Sequence, residues 1–408
     1  MRIAFIVSTF PKLSETFILS QITGLLDMGH DVRVFSEYRN TKEDKVHPDV
    51  LKYRLMDRTK YFITPENWLE RAASAGRLAA RNLSTGPLEL LKSVNFLKLG
   101  KKALSLKVLH LIAPMIGSRF DIIHSHFGLN GALAIYLKLM GVPGRYLTTF
   151  HGYDVNSLPH KASPGYYREL FSHGDRFTSN TDYTRRRAVA LGCDEKKITI
   201  LPVGLDIRKF GFRPRQLAPG EPVRLLTIGR LVEKKGHKYA LKAVKELSDK
   251  GFDIRYSIAG DGPEKDRLQG LASSLGLTKK VEFLQDINEQ EALELYSNCH
   301  IFVLPSVTSA DQDREGQALV LQEAQATGMP VVSTRHNGIP EGVLDGVSAF
   351  LVPERDHRRL AEKIEYLIER PSSWPVMGEA GRKFVEGKYD IRKLNCELVS
   401  IYEQMLRE

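Results

Sequence analysis

Short β-branched or apolar runs alternate along the chain with stretches that keep a helical spacing of apolar residues. In the first half the runs are RIAFIVS (2–8), DVRVFS (31–36), DIIHSH (121–126), YLTTFHG (146–152), RFTSN (176–180) and ITILPVG (198–204). In the second half they are RLLTIGR (224–230), IRYSIAGDG (254–262), VEFLQ (281–285), IFVLPS (301–306), PVVST (330–334) and AFLVP (349–353). Runs this apolar, with helical segments between them, predict parallel strands covered on both faces by helices. Doubly wound α/β sheets bind ligands beyond the carboxyl ends of their strands. The polar residues that close the runs, in HSHFG, HGYD, GRLVEKKG and AGDGPE, therefore become the candidates for function. The Arg-, Gly- and Pro-rich stretch RKFGFRPRQLAPGEPV (208–223) separates the two series and reads as a linker over 208–222. This predicts two α/β units, 1–207 and 223–388, facing a central cleft. A final helical segment, 389–408, is expected to pack back on the first unit.

The composition fits that division. The 408 residues are 42% hydrophobic and 26% charged, which suits a globular chain of two domains. No apolar run approaches the ~20 residues that cross a bilayer. The opening MRIAFIVSTFPKLSET has only a strand-length apolar stretch, Ile3 to Val7, with no small-residue cleavage site, so no signal peptide is expected. Three cysteines, Cys193, Cys299 and Cys396, without a CxxC predict neither a disulfide framework nor a zinc site. The expected compartment is the cytosol.

Charge adds an asymmetry. The net +10 divides into +12 over residues 1–210 and −2 over the remainder. Either the first half faces an anionic surface or it carries a solvated basic face. Residues 71–110 concentrate the question, with eight Lys/Arg against the single acid Glu89. Leu90, Leu91, Val94, Leu97, Leu104, Val108 and Leu111 recur near helical spacing between Lys92, Lys98, Lys101, Lys102 and Lys107. Such a helix can lie in the interface of an anionic membrane, as a peripheral contact at its inner face, or pack on the core with a basic outer side.

The chemistry concentrates in the second half. In IFVLPSVTSADQDREGQALVLQEAQATG, Glu315 and Glu323 stand eight residues apart, with Gly316 leading into a helix. That is a little over two turns, so the carboxylates span a ligand's length rather than stack. Free amides from Gln317 to Val320 would favour phosphate, and carboxylates accept paired hydrogen bonds from vicinal hydroxyls. Two surface glutamates on a helix give the same spacing. The strand RLLTIGR ends at Gly229-Arg230 and is followed by Lys234, Lys235 and Gly236, cations that suit a diphosphate or merely a basic helix entry.

The ordered series GRLVEKKG, AGDGPE, the strand ending LPS, Glu315-x7-Glu323 and GMPVVST-x3-GIPEGVLDG resembles the retaining family-4 glycosyltransferases of GT-B fold. SETFI, HSHFG and HGYD look like the branch that builds bacterial exopolysaccharides such as colanic acid and amylovoran. The resemblance implies two Rossmann-like domains, a nucleotide-sugar donor bound by the second and a glycan acceptor, polyprenyl-diphosphate-linked, met by the first. By it, Arg230 and Lys235 face the donor diphosphate, Glu323 the ribose, Glu315 the sugar, and Gly316, Gln317, Ala318 and Leu319 offer amides to both. His151 would reach the donor sugar, and Asp154 would touch sugar or acceptor. Where the family has a Gly-Gly loop after the first strand, this chain reads Pro11-Lys12-Leu13-Ser14-Glu15-Thr16. Ser14 or Thr16 is then expected to cap the first helix and Glu15 and Thr16 to meet the acceptor. The family's frequent Glu-Gly-Phe-Gly reads Glu315-Gly316-Gln317-Ala318, a change expected to act on sugar selectivity.

The resemblance implies transfer with retention, an oxocarbenium-like transition state and a departing diphosphate neutralised by Arg230, Lys235 and helix-start amides. Asp311-Gln312-Asp313 is a literal DxD, but no metal or other cofactor is expected, because cations already serve the diphosphate. An epimerase of the same architecture or a glycan phosphorylase are the rival enzymes. A GxGxxG fingerprint and a P-loop are both missing. Nucleic acid is not an expected partner, since aromatics do not cluster with Lys/Arg.

Overall fold

The structure is a computed structural model that describes every residue except 13–14, 41–45, 96–104, 163–164 and 286. Its first sheet holds β1 (Arg2–Phe10), β2 (Asp31–Arg39), β3 (Thr59–Tyr61), β4 (Ile122–His126), β5 (Arg145–Phe150), β6 (Arg176–Ser179) and β7 (Ile198–Ile200). They lie in the order 3-2-1-4-5-6-7 and every pair is parallel. The second sheet holds β8 (Val223–Ile228), β9 (Ile254–Ala259), β10 (Val281–Leu284), β11 (Ile301–Leu304), β12 (Val331–Thr334) and β13 (Ala349–Val352), in the order 10-9-8-11-12-13 and again parallel throughout. Both are doubly wound Rossmann-like sheets, as the alternation of runs predicts. All twelve runs are strands. Only β3 lacks a forerunner, because Thr59-Lys60-Tyr61 offers no apolar stretch and forms an edge beside β2.

Each sheet reverses its strand order once, between β1 and β4 and between β8 and β11, and such switch points open crevices at the carboxyl ends. The chain leaves β5 into His151-Gly152, β8 into Gly229-Arg230 and β11 into Pro305-Ser306. Residues 208–222 carry no strand and lie against the second unit. Arg215 is buried there, donating to the carbonyls of Tyr296 and Ser297 at 2.5 and 3.0 Å.

The C-terminal helix Ile391–Arg407 begins under an Asp390 cap and returns to the first unit. Leu394, Leu398, Tyr402 and Met405 enter the core that Ile3, Phe5 and Ile22 form around β1. Gly24, on helix Thr16–Asp27, lets Asn395 approach so closely that a Cβ would sit 1.9 Å from its Nδ2. Tyr402 reaches furthest. Its hydroxyl lies 2.7 Å from Nδ1 of His124, whose Nε2 is 2.7 Å from the Thr149 hydroxyl, all of it buried. A buried polar group of this kind is tolerated because both its nitrogens have partners.

Two consequences can be measured. Tyr402→Phe leaves His124 Nδ1 buried without a partner and is expected to lower unfolding stability by about 1–3 kcal/mol. A denaturation midpoint equal to that of the native chain would remove the anchor. Burial also pushes the His124 ring down from 6.5 to about 3, so the folded chain stays neutral there while the unfolded chain protonates. Stability is thus lost as pH falls from 6.5 toward 3, with a slope of about 1.4 kcal/mol per pH unit for this one proton. In His124→Asn the dependence measured by urea unfolding from pH 6.5 to 4.5 should be shallower by that share. An unchanged slope would mean that the ring already titrates in the folded state.

Candidate active site

The two units meet where β5 of the first and the loop after β11 of the second send their turns into the cleft. Gly152 has φ +119, and a Cβ on it would lie 3.1 Å from the Gly316 Cα. A Cβ on Gly316 would in turn lie 2.4 Å from the His151 carbonyl oxygen. Only glycines permit backbones to approach this closely. His151 and Glu315 therefore stand one residue to either side of an interdomain contact.

His151 is half-buried between the rings of Phe17, at 4.8 Å, and Phe127, at 4.6 Å. Its Nε2 lies 3.0 Å from His126 Nδ1, and the two imidazoles stack at 18°. Burial lowers its pKa to about 3, so it is neutral. Its backbone is fixed as well, the Asn180 amide donating to its carbonyl at 3.1 Å. Asp154, expected to touch sugar or acceptor, turns its carboxylate away from the cleft. It is fully buried, and its carboxylate accepts from the amides of Gly128, His151 and Gly152 at 2.8–3.2 Å. Burial raises its pKa, opposed by those amides. Asp154 shapes the turn that presents His151.

From the second unit, Lys235 is nearly buried and its ammonium lies 3.1 Å from Glu315 Oε1. That oxygen is buried and, the ammonium beside it apart, accepts no hydrogen bond among the described residues. Burial alone would raise the Glu315 pKa. The charges of Lys235 and Lys234 outweigh it and bring the group to about 2, so Glu315 is ionised. Its amide donates to His336 Nε2 at 3.1 Å, and His336 Nδ1 is 2.6 Å from Glu354 Oε1. This relay fixes the loop. Gly229 packs on the Lys235 stem, a Cβ there lying 3.3 Å from Cε. Arg230, next along, is exposed and has no carboxylate within ion-pair range among the described residues.

Helix Val320–Ala326 follows, and no described residue accepts from the amides of Gly316, Gln317, Ala318, Leu319 or Val320. The Gln317 side chain does not turn to the cleft. It exchanges two hydrogen bonds with the Val203 backbone, both 2.7 Å, and so ties the units together where a sugar-selecting residue was expected. Glu323, half-buried, accepts from the Tyr296 hydroxyl at 2.7 Å, and burial raises its pKa. Tyr296 carries no motif and was missed by the sequence. So was Glu341, whose carboxylate accepts from the amides of Asp182 and Tyr183 at 2.7 and 2.9 Å across the interface. A Glu after Gly-Ile-Pro is visible in the sequence, but the helix it caps lies 159 residues away.

Glu15 pairs with Lys12 at 2.5 Å on the rim of a depression also lined by Phe10, Asn40 and His47. Thr16 is exposed and is the first residue of its helix rather than the expected cap. Glu15 takes that position without a side-chain bond, and Ser14 lies outside the described residues. Asp313 pairs with Lys234 at 3.0 Å and Asp311 accepts from Ser309 at 2.6 Å. Among the described residues no group of three His, Cys, Asp or Glu is arranged to hold a metal ion. In the basic region Leu90, Val108 and Leu111 are core residues while Leu91 and Val94 are exposed. Leu97, Lys98, Lys101, Lys102 and Leu104 lie outside the described residues. No helix among those described is long and apolar enough to cross a membrane.

Comparison with known proteins places this geometry. Residues 14–209 match Glycosyltransferase Family 4 and residues 209–384 match Glycosyl transferases group 1. The chain is 33% identical to WcaL of Escherichia coli (strain K12), a glycosyltransferase assigned to colanic acid biosynthesis, over 99% of this chain and 100% of that one. It is 31% identical to the amylovoran biosynthesis glycosyltransferase AmsK of Erwinia amylovora over the same shares. Among solved structures, Anabaena HepE in complex with UDP superimposes with a TM-score of 0.72 at 16% identity, covering 99% of this chain and 100% of that one. Sucrose-phosphate synthase of Thermosynechococcus elongatus gives 0.73 at 19%, covering 100% and 99%. These two share the fold. With both halves matched and whole-length relatives above 30% identity, the chain belongs to the family-4 glycosyltransferases of GT-B fold.

Proposed function

We propose that the chain moves a hexose from a UDP- or GDP-linked sugar to a glycan carried on a polyprenyl diphosphate, with retention at the anomeric carbon, in the synthesis of a cell-surface polysaccharide. The observation that carries this reading is the meeting of Gly152 and Gly316, which sets His151 from one sheet beside the Lys235–Glu315 pair of the other. The roles named for WcaL and AmsK support an exopolysaccharide product, and the UDP held by HepE supports a nucleotide-linked donor. Lys235, Arg230 and the amides of Gly316–Val320 receive the diphosphate as its bond to the anomeric carbon breaks. The acceptor oxygen bonds to that carbon on the same face, and its proton passes to a phosphate oxygen of the donor. Glu323, held by Tyr296, takes the ribose hydroxyls, and Glu315 and His151 take the sugar. Glu15 and Thr16 border the acceptor. On this reading no metal is required, since Lys235, Arg230 and the helix-start amides meet the charge of the leaving group.

The lipid-linked acceptor agrees with the outer side of residues 63–94. Ile63, Trp68, Leu69, Leu83, Leu88, Leu91 and Val94 are exposed there, with Arg77 and Arg81 among them, while Ala75 and Leu90 face the core. Apolar side chains ringed by arginine suit the interface of an anionic membrane.

A thermal-shift screen of UDP- and GDP-sugars is expected to select one donor, with turnover undiminished in EDTA. Glu323→Ala should then weaken nucleotide binding by about 1–3 kcal/mol, whereas Glu315→Ala and His151→Ala should lower turnover more than affinity. Unchanged affinity in the first, or the reverse pattern in the others, removes those roles. Separately, Trp68→Ser, Leu69→Ser, Leu88→Ser and Leu91→Ser together should reduce partition onto phosphatidylglycerol vesicles by at least about tenfold. Equal co-sedimentation would make this an ordinary surface.

A further inference from the structure

His126 ends β4, fully buried, in a column of three imidazoles. Its ring stacks on His124 at 4.5 Å and on His151 at 5.3 Å, with Phe5 at 5.4 Å. One edge is occupied, Nδ1 lying 3.0 Å from His151 Nε2. The other is not. His126 Nε2 is a buried nitrogen with no partner among the described residues. Its neighbour His124 cannot serve it, since both of that ring's nitrogens are taken by Tyr402 and Thr149. Burial holds the pKa of His126 well below 6.5, as it lowers that of His151, so each ring is neutral with one proton, and one of the two protons lies between them.

Where that proton sits follows from the orphan atom. Were His151 to donate through Nε2, His126 would carry its own proton on Nε2, a buried N–H without an acceptor. Orphaned N–H groups are rarer in folded chains than orphaned acceptors. The alternative leaves only a bare lone pair buried: His126 Nδ1–H donates to His151 Nε2. His151 must then hold its proton on Nδ1. That atom has no hydrogen-bond partner among the described residues, and on the reading that His151 faces the donor sugar it is the one left for the cleft.

We propose that His126 is the positioning residue of His151, holding it as the Nδ1–H tautomer so that the cleft receives a hydrogen-bond donor rather than a base. This rests on the reading that His151 faces the donor sugar and deepens it. His151 then gives a hydrogen bond to a sugar oxygen and takes no proton, consistent with the donor phosphate receiving the acceptor's proton. The backbone supports the same orientation, with the His151 amide on Asp154 and its carbonyl on Asn180.

The test is the nitrogen spectrum of the full chain labelled with ¹⁵N-histidine, His151 being assigned by the signals lost in His151→Gln. The expected result is a protonated Nδ1 and a bare Nε2 at His151. His126→Asn, whose amide can replace the Nδ1–H, should retain this tautomer and most of the turnover of the donor selected by the thermal-shift screen. His126→Phe, which keeps the ring and loses the donor, should release His151 to the Nε2–H form and lower kcat on the order of ten- to a hundredfold, the scale of loss when the orienting partner of a metal-ligating histidine is removed, with KM for that donor little changed. A proton on Nε2 in the native chain, or the same tautomer in the native and Phe chains, overturns the proposal. A tautomer that switches without loss of turnover upholds it and instead removes His151 from the reaction. Should the Phe chain not fold, the native spectrum and His126→Asn still decide.

Discussion

Everything in the cleft depends on two turns being able to touch. The carboxyl ends of two parallel sheets face each other, and Gly152 and Gly316 meet between them, a Cβ on Gly316 lying 2.4 Å from the His151 carbonyl oxygen and one on Gly152 3.1 Å from the Gly316 Cα. Gly338 extends the requirement, since a Cβ there would lie 2.1 Å from the Gly316 carbonyl oxygen. His151 and Glu315 are carried on the residues beside these glycines, so their spacing is set by backbone contact rather than by long flexible arms. Preorganisation of this kind lets charge be met without reorganisation at the moment of reaction.

The second constraint is electrostatic. A nearly buried lysine is costly unless a carboxylate accompanies it, and Lys235 has Glu315 at 3.1 Å. The pair holds Glu315 ionised in spite of burial, with Lys234 adding to the effect while itself paired with Asp313. Arg230 is the contrast. It is exposed, with no carboxylate in ion-pair range among the described residues. Asp313, the second aspartate of the DxD sequence, lies beside Lys234.

Much of this was legible in the chain because strand periodicity and motif order are local properties. Twelve apolar runs became twelve strands, and the turn that closes β5 at His151-Gly152 reached the other unit. What could not be read were the partners. Asp154 looks like a contact in HGYD, but its carboxylate turns inward onto the amides of its own turn and of Gly128. Gln317 stands where the family's Phe was expected to bear on sugar selectivity, yet Val203, 114 residues earlier, takes up its side-chain amide while its backbone amide stays without an acceptor among the described residues. Tyr296 and His336 carry no pattern of their own and matter only through Glu323 and Glu315. His126 was visible in HSHFG, but its value lies in a stack that only the parallel pairing of β4 with β5 creates.

The connections between the units follow the same logic. Leu205 exchanges backbone hydrogen bonds with Tyr389 and Ile391, where the chain crosses from one unit to the other and returns. Close to this crossing lie the Gln317–Val203 pair and the Tyr389 hydroxyl, which donates to the Glu341 carbonyl at 2.9 Å. Glu341 in turn places its carboxylate on the first amides of helix Asp182–Ala190, where the helix dipole favours an anion. One residue of the second unit thus caps a helix of the first while its own backbone is held by the C-terminal segment. The helix Ile391–Arg407 then carries the chain to Tyr402 and His124, beneath the imidazole column. The C-terminal helix is therefore linked, through Tyr402, His124 and His126, to the ring of His151.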